Sequence, residues 1–356
     1  MVLWTNGSRL PAIATTSLPG TPANQAGVLG QPNTGLLYGG GDVLDEAGFG
    51  ARIRGGRWLN TDEVSGIGGD LLWLVERSDS FSSTSDGSSI LARPFNNLAN
   101  GTTPDSQIIA FPGVGQGSLA INVESRLYSA GVHYWTEFCV DECDTCSCCG
   151  EETCHNNGDR QWAFRIGPRF THLDETFQSN EHVASLQTGT TFDLLDSFKT
   201  ETSFLGGEVG LRMRQNNGNY SLDVGLNLAL GANRQELDIT GHSTSAVAGL
   251  APTSAAGAFF AQQTNIGNYD RTRFALQPSF EVALGIDLDD TWRFSLGYNV
   301  LYWTNVLRVA EQVGTGMNPN LLPPVIANTG TPGPNVRMSE SNYLAHGISL
   351  GFEKRW

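Results

Sequence analysis

Lysine is nearly missing from this chain of 356 residues: only Lys199 and Lys354 occur among 21 basic residues, the rest being arginine. Long apolar runs are missing altogether. Hydrophobic residues make up 39% of the chain, yet no stretch reaches the 18 apolar residues that a membrane helix needs, so a helical span is excluded. Charge is scarce, 16% of residues, and mostly acidic, with a formal net charge of −15 and a pI of about 4.7. That balance argues against nucleic-acid binding, which needs a basic face. Met1-Val2-Leu3-Trp4 has neither the basic nor the apolar region of a secretory signal. Trp4 followed by Asn6-Gly7 instead reads as the tail of a strand, and the expectation is that the true start, with its export signal, precedes it.

Against these absences stands a clear period of two. From Phe204 to Asn233, Leu205, Gly207, Val209, Leu211 and Met213 share one parity, and Glu208, Arg212 and Arg214 the other. After Gln215-Asn216-Asn217-Gly218-Asn219, which is turn chemistry, Tyr220, Leu222, Val224, Leu226, Leu228 and Leu230 oppose Ser221, Asp223 and Asn227. Side chains alternate faces along a strand, so each half has one apolar and one charged face. Lipid outside and water inside demand this over roughly 9–11 residues.

The same alternation recurs along the chain. Strands are expected over Phe49–Leu59, Val64–Glu76, Gly117–Phe138, Gln161–His172, Arg271–Leu288, Trp292–Leu307 and Tyr343–Trp356. In Gly117–Phe138 the apolar parity switches near Ser125, which a β-bulge would explain. Short turns fall near 60–63, 215–219 and 289–291. Long polar loops are expected near 5–48, 77–116, 174–195, 240–270 and 309–341. Short turns on one side and long loops on the other fix the orientation of an outer-membrane barrel. The fold class expected is therefore all-β: residues 1–356 as one transmembrane antiparallel up-and-down β-barrel of about ten strands, with long extracellular loops, short periplasmic turns and a clipped first strand. The glycines between Arg9 and Gly41 invite a phosphate-loop reading, but no Gly-Lys-Ser/Thr follows, so this stretch reads as an ordered surface loop. Ile348, Leu350, Phe352 and Trp356 end the chain on one parity, as in the terminal strand by which outer-membrane proteins are recognised for assembly; Lys354 interrupts that face and can snorkel.

Three constellations carry chemistry. The inward parity collects Arg52, Arg54, Asp70, Arg165, Arg169, Glu208, Arg212, Asp223, Arg273, Glu281, Arg293, Glu353 and Arg355. They line a selective channel or, in a barrel of about ten strands, fill a narrow one with ion pairs. One network of Arg212, Glu208, Asp223, Arg273 and Glu281 is expected. The six cysteines, Cys139, Cys143, Cys146, Cys148, Cys149 and Cys154, all lie within 139–160, a periplasmic turn in this orientation. Oxidising surroundings and the lack of a clean zinc spacing favour disulfides over metal, with connectivity open. Lastly, His182 and His242 fall in loops, the first near Asp174, Glu175 and Asp193, while His133, His172 and His346 fall on strands. None has catalytic spacing, so no enzyme, cofactor or metal is expected.

LPAIATTS with GVLGQPNTGLLYGG, then SSDGSSILARPF, TNIGNYDRTRFALQP and LGYNVLYWTNVLRVAEQVGTGMNPNLLPP (residues 296–324) resemble the putative beta-barrel porin-7 family across nearly the whole chain. The resemblance implies a barrel in the bacterial outer membrane, embedded in its lipid bilayer. A porin-like, narrow or plugged passage for small solutes is the leading expectation. A structural or surface-interaction barrel that anchors large extracellular loops without transport is the second.

Overall fold

A computed structural model describes residues 1–61, 64–138, 160–289, 291–323 and 330–354. Ten strands close into a ring: β1 (Val2–Thr5), β2 (Gly48–Trp58), β3 (Ser65–Ser85), β4 (Gly115–Phe138), β5 (Arg160–Ser185), β6 (Thr191–Asn217), β7 (Tyr220–Ala246), β8 (Gly267–Asp287), β9 (Trp292–Leu307) and β10 (Glu340–Lys354). Each pairs antiparallel with its sequence neighbour among these ten, and β10 pairs with β1 to close the circle. Closure leaves no sheet edge at the level where all ten strands meet. At one end short connections of six, two and four residues join β2 to β3, β6 to β7 and β8 to β9. Between β6 and β7 only Gly218 and Asn219 intervene, and Gly218 takes φ +60°, which glycine tolerates without steric cost. The Cys-rich segment 139–159 and Arg355 lie outside the described residues, and with them the disulfide reading.

The ring is lopsided. β1, β2, β9 and β10 have 4 to 16 residues, whereas β3 to β8 have 21 to 27. A strand of 27 residues at roughly 3.3 Å each reaches about 90 Å, far more than any bilayer needs. The long loops expected at 77–116, 174–195 and 240–270 are thus corrected. Each begins and ends as wall, and 174–195 is mostly wall: β3 continues to Ser85, β5 to Ser185 and β7 to Ala246, and β5 joins β6 through only Leu186 to Thr190. They read as loop because their outward positions are Ser, Thr, Asn and Asp rather than Leu.

The parity switch expected in β4 is also corrected. On β4 the odd positions from Gly115 to Gly131 stay buried. Ser125 pairs with Arg77 but Leu127 with Leu74, so Val75 and Glu76 together oppose Arg126. The bulge is on β3, and it moves that strand's inward set from Leu72 and Leu74 to Arg77, Asp79 and Phe81. What changes along β4 is the chemistry of its inner face, not its side.

The tall wall encloses folded chain. Segments 6–47, 86–114, 257–266, 308–323 and 330–339 turn inward at the long-loop end and build a small sheet from Ala14–Ser17, Thr34–Tyr38, Leu91–Asn97, Thr103–Ala110 and Gly316–Met317. Leu10, Ile13, Leu91 and Ile109 of this plug pack with Leu119, Ile121, Phe177, Phe198, Leu237 and Ile239 of the wall in one apolar cluster. Each such buried side chain contributes about 1.5–3 kcal/mol relative to exposure. Arg9–Gly41, expected as a surface loop, supplies part of this core.

The barrel lumen as candidate functional site

Below the plug the lumen is filled in layers. The upper layer is apolar. β9 leaves β10 at a register shift between Trp303 and Val306, with Asn305 at φ +56°. The carbonyls of Thr304 and Asn305 accept from the Asn233 amide at 3.0 and 2.6 Å, and Trp303 Nε1 donates to Asn233 Oδ1 at 2.9 Å. These bonds swing Trp303, fully buried, into the bore, where it meets Phe204 edge-on at 6.4 Å within a cluster that includes Leu3, Leu72, Leu74, Leu127 and Leu173.

Beneath it lies a charged tier. Arg169 on β5 spans three strands: its Nη atoms donate to both Asp70 oxygens on β3 at 2.7 and 2.9 Å, and its Nε and Nη2 to both Glu208 oxygens on β6 at 2.8 and 2.9 Å. Asp70, Gly131 and Arg169 are in register on β3, β4 and β5. A Cβ on Gly131 would sit 2.7 Å from the Arg169 guanidinium carbon, so the missing side chain is what lets the guanidinium lie over β4. Arg165 adds a 3.1 Å pair to Glu208 and a 2.7 Å bond to Asn227. Across the bore, Glu281 of β8 accepts from Arg52 at 3.1 Å and Arg54 at 2.9 Å, both on β2; these strands are not neighbours, so the pairs bridge the lumen. Bidentate Arg–carboxylate bonds are short, charge-assisted and geometrically selective.

A second tier lies nearer the tight turns. Asp223 is shared by Arg212 at 3.0 Å, Arg214 at 2.8 Å and Arg293, while Glu353 stands 3.5 Å from Arg214 and 3.6 Å from Arg293. Gly285 again leaves the space that the Arg293 side chain fills.

The structure therefore separates the residues expected in one network. Glu208, Glu281 and Asp223 each belong to a different cluster of arginines. Arg273 belongs to none of them: it is about half exposed near the mouth, 3.4 Å from Glu340, because its strand there has risen past the short side of the ring.

Two further clamps hold the plug to the wall, and the sequence reading missed both. Arg93, fully buried, contacts Glu181 at 3.0 Å and Asp196 at 3.2 Å beneath the rings of Phe259 and Phe260. Asp196 also accepts the backbone N–H groups of Phe260 and Ala261 at 2.7 and 2.8 Å. Burial pushes the carboxyls of Glu181 and Asp196 up, Arg93 opposing. Arg308, just past the Trp303 bend, grips both oxygens of Glu175 at 2.9 and 3.1 Å. The signal was there: Arg93 and Arg308 stand alone inside apolar runs (ILARPF, VLRVA), where a cation needs a buried partner.

Two histidines share one pocket on the exposed outer wall: His182 pairs with Asp193 at 2.7 Å, and His242 lies 3.4 Å from the Thr244 hydroxyl. Asp174 turns to Lys199 at 3.2 Å and Glu175 faces inward to Arg308. His133 lies 4.0 Å from Asp70, and His172 and His346 bond Ser203 and Tyr298. Among the described residues no cluster of His, Cys, Asp and Glu suits a metal ion.

The comparisons agree with this architecture at the level of family. The family described as putative beta barrel porin-7 matches residues 1–356. No curated protein and no solved structure matches the chain. A closed ring of ten antiparallel strands and a match over the full length lead to one statement: the chain belongs to the putative beta barrel porin-7 family.

Proposed function

We propose that this chain is a bacterial outer-membrane barrel that is closed at rest and anchors a rigid extracellular body. The outward apolar belt supports the membrane reading. On β6 it runs from Leu205 to Met213, about the length a tilted spanning strand needs. Phe49, Ile53, Trp73, Leu226, Leu284 and Leu350 continue it around the ring, all exposed. Above it Arg126, Asp174, Glu201, Glu236 and Asp270 stand in register on β4 to β8, and the polar exterior begins there. The tight turns then face the periplasm and the tall wall projects outward. The outward Ile348, Leu350 and Phe352 of β10 suit recognition by the outer-membrane assembly machinery.

The observation that carries the closed reading is the Trp303 layer resting on the Arg169 tier, two unlike seals in series. A barrel of ten strands is only slightly wider than one that its side chains fill. Single-channel recording of the full chain in planar bilayers tests it. No steady conductance is expected; a steady, large conductance would overturn the reading. The second reading, a narrow porin-like passage for small solutes, is favoured by the polar lining beneath the Trp303 layer. It expects small steady currents in the wild type that grow in Trp303→Ala.

A further inference from the structure

The charged tier lines a cavity of about 40 Å³, room for a few water-sized particles. Four arginines line it, Arg52, Arg54, Arg165 and Arg169, against three carboxylates, Asp70, Glu208 and Glu281. One positive charge is in excess, and His133 beside Asp70 can only add to it. The surplus sits on β2, where Arg52 and Arg54 share Glu281. Two hydrogen-bond donors of the lining are buried and have no partner among the described residues: Nε of Arg52 and Nε2 of Gln277. Gln277 is 3% exposed, and its Oε1 is already taken by the Thr171 hydroxyl at 3.0 Å, so its amide N–H groups are the part left over.

An uncompensated charge in a narrow lumen is costly, and buried donors without acceptors add to that cost. A water molecule can accept from the donors but leaves the charge. A divalent anion would reverse the sign of the excess, whereas a monovalent ion of one atom matches the single surplus charge and needs only the two donors left over. We propose that the cavity binds one small monovalent inorganic anion of the halide class, held by Arg52 and Gln277. The anion neutralises the tier and locks the cross-lumen bridge between β2 and β8.

Bromide is the probe. Crystals of the full chain soaked in bromide and measured at its absorption edge should show an anomalous peak in the cavity, within hydrogen-bonding reach of Gln277 Nε2 or Arg52 Nε. In detergent, chloride should raise the unfolding midpoint saturably over sulfate at equal ionic strength. Gln277→Leu should lose that chloride-specific rise, and so should Arg52→Gln, which removes the excess charge while keeping a polar side chain. If Gln277→Leu fails to fold, Arg52→Gln decides. Absence of the peak overturns the proposal, as does a peak at soak concentration with no saturable chloride effect in solution. A chloride effect that survives in Arg52→Gln overturns it too.

Discussion

On β7 the even positions from Leu222 to Leu230 are apolar and point outward, while higher on the same strand they are Arg234, Glu236, Asp238 and Thr240. The odd positions change the other way, from Asp223 and Asn227 in the lumen to Leu237 and Ile239 against the plug. β7 keeps its register with β6 throughout, so no bulge there produces the inversion. The proposed membrane orientation accounts for it: lipid outside and polar groups inside below, water outside and a folded core inside above. The parity of a strand says which residues share a face, but only the surroundings say what that face must be made of.

The comparison breaks most severely at the buried clamps. Arg93→Met should leave Glu181 and Asp196 without their cation and cost about 3–5 kcal/mol, read from equilibrium unfolding. Arg169→Met, its counterpart in the lumen, should strand Asp70 and Glu208 at a similar cost. If Arg93→Met unfolds like wild type, the plug is not held by charge.

Next comes the outer face of one strand. Leu226→Arg should destabilise the barrel in lipid vesicles by about 2–4 kcal/mol, whereas Thr240→Arg, on the same face higher up, should stay within about 0.5 kcal/mol. Equal costs at the two sites would erase the proposed membrane boundary between them. Asn227→Arg is a poorer control than its inward direction suggests, because Asn227 accepts from Arg165 and donates to Ser279.

The pH response sharpens the upper half further. Folding raises the Glu181 and Asp196 carboxyls above their ordinary range through burial, with one arginine serving two acids. Stability from such groups is full below the ordinary carboxylate range and is lost as pH rises through the raised values. Lowering the pH from about 7 toward about 5 should therefore raise the unfolding midpoint, and Glu181→Gln should flatten the rise. A midpoint that falls equally in both proteins would mean the cluster is fully ionised when folded. The smallest effect belongs to the exposed outer wall: Lys199→Ala, which removes pairs to Asp174 and Glu201, should change stability by about 1 kcal/mol or less.

Much of the barrel was legible because period-two alternation is a local property. Strand positions near the tight turns, the count of ten, and the placement of Arg52, Asp70, Arg169, Glu208, Asp223 and Glu281 on inner faces follow from counting residues along each strand. Three things resisted. Wall and loop look alike where outward positions are polar, so the tall side was read as loops. The bulge opposite Arg126 lies on β3 and cannot be placed from β4, because a shift in side-chain chemistry on β4 imitates a shift in register. Partners across the lumen depend on barrel diameter and tilt, which no single strand encodes.

By itself, then, the sequence determined an outward apolar belt, an inward file of arginines and carboxylates, and a ring that closes, since these rest on alternation and turn chemistry within a few residues of each other. Only the tertiary structure decided that Glu281 is held from the far side of the bore by Arg52 and Arg54, that glycines such as Gly131 make room for guanidinium groups to cross strands, and that the long connections fold into the mouth instead of over it. Those outcomes depend on which surfaces remain to be buried once ten strands have met, a quantity set by the closed ring as a whole.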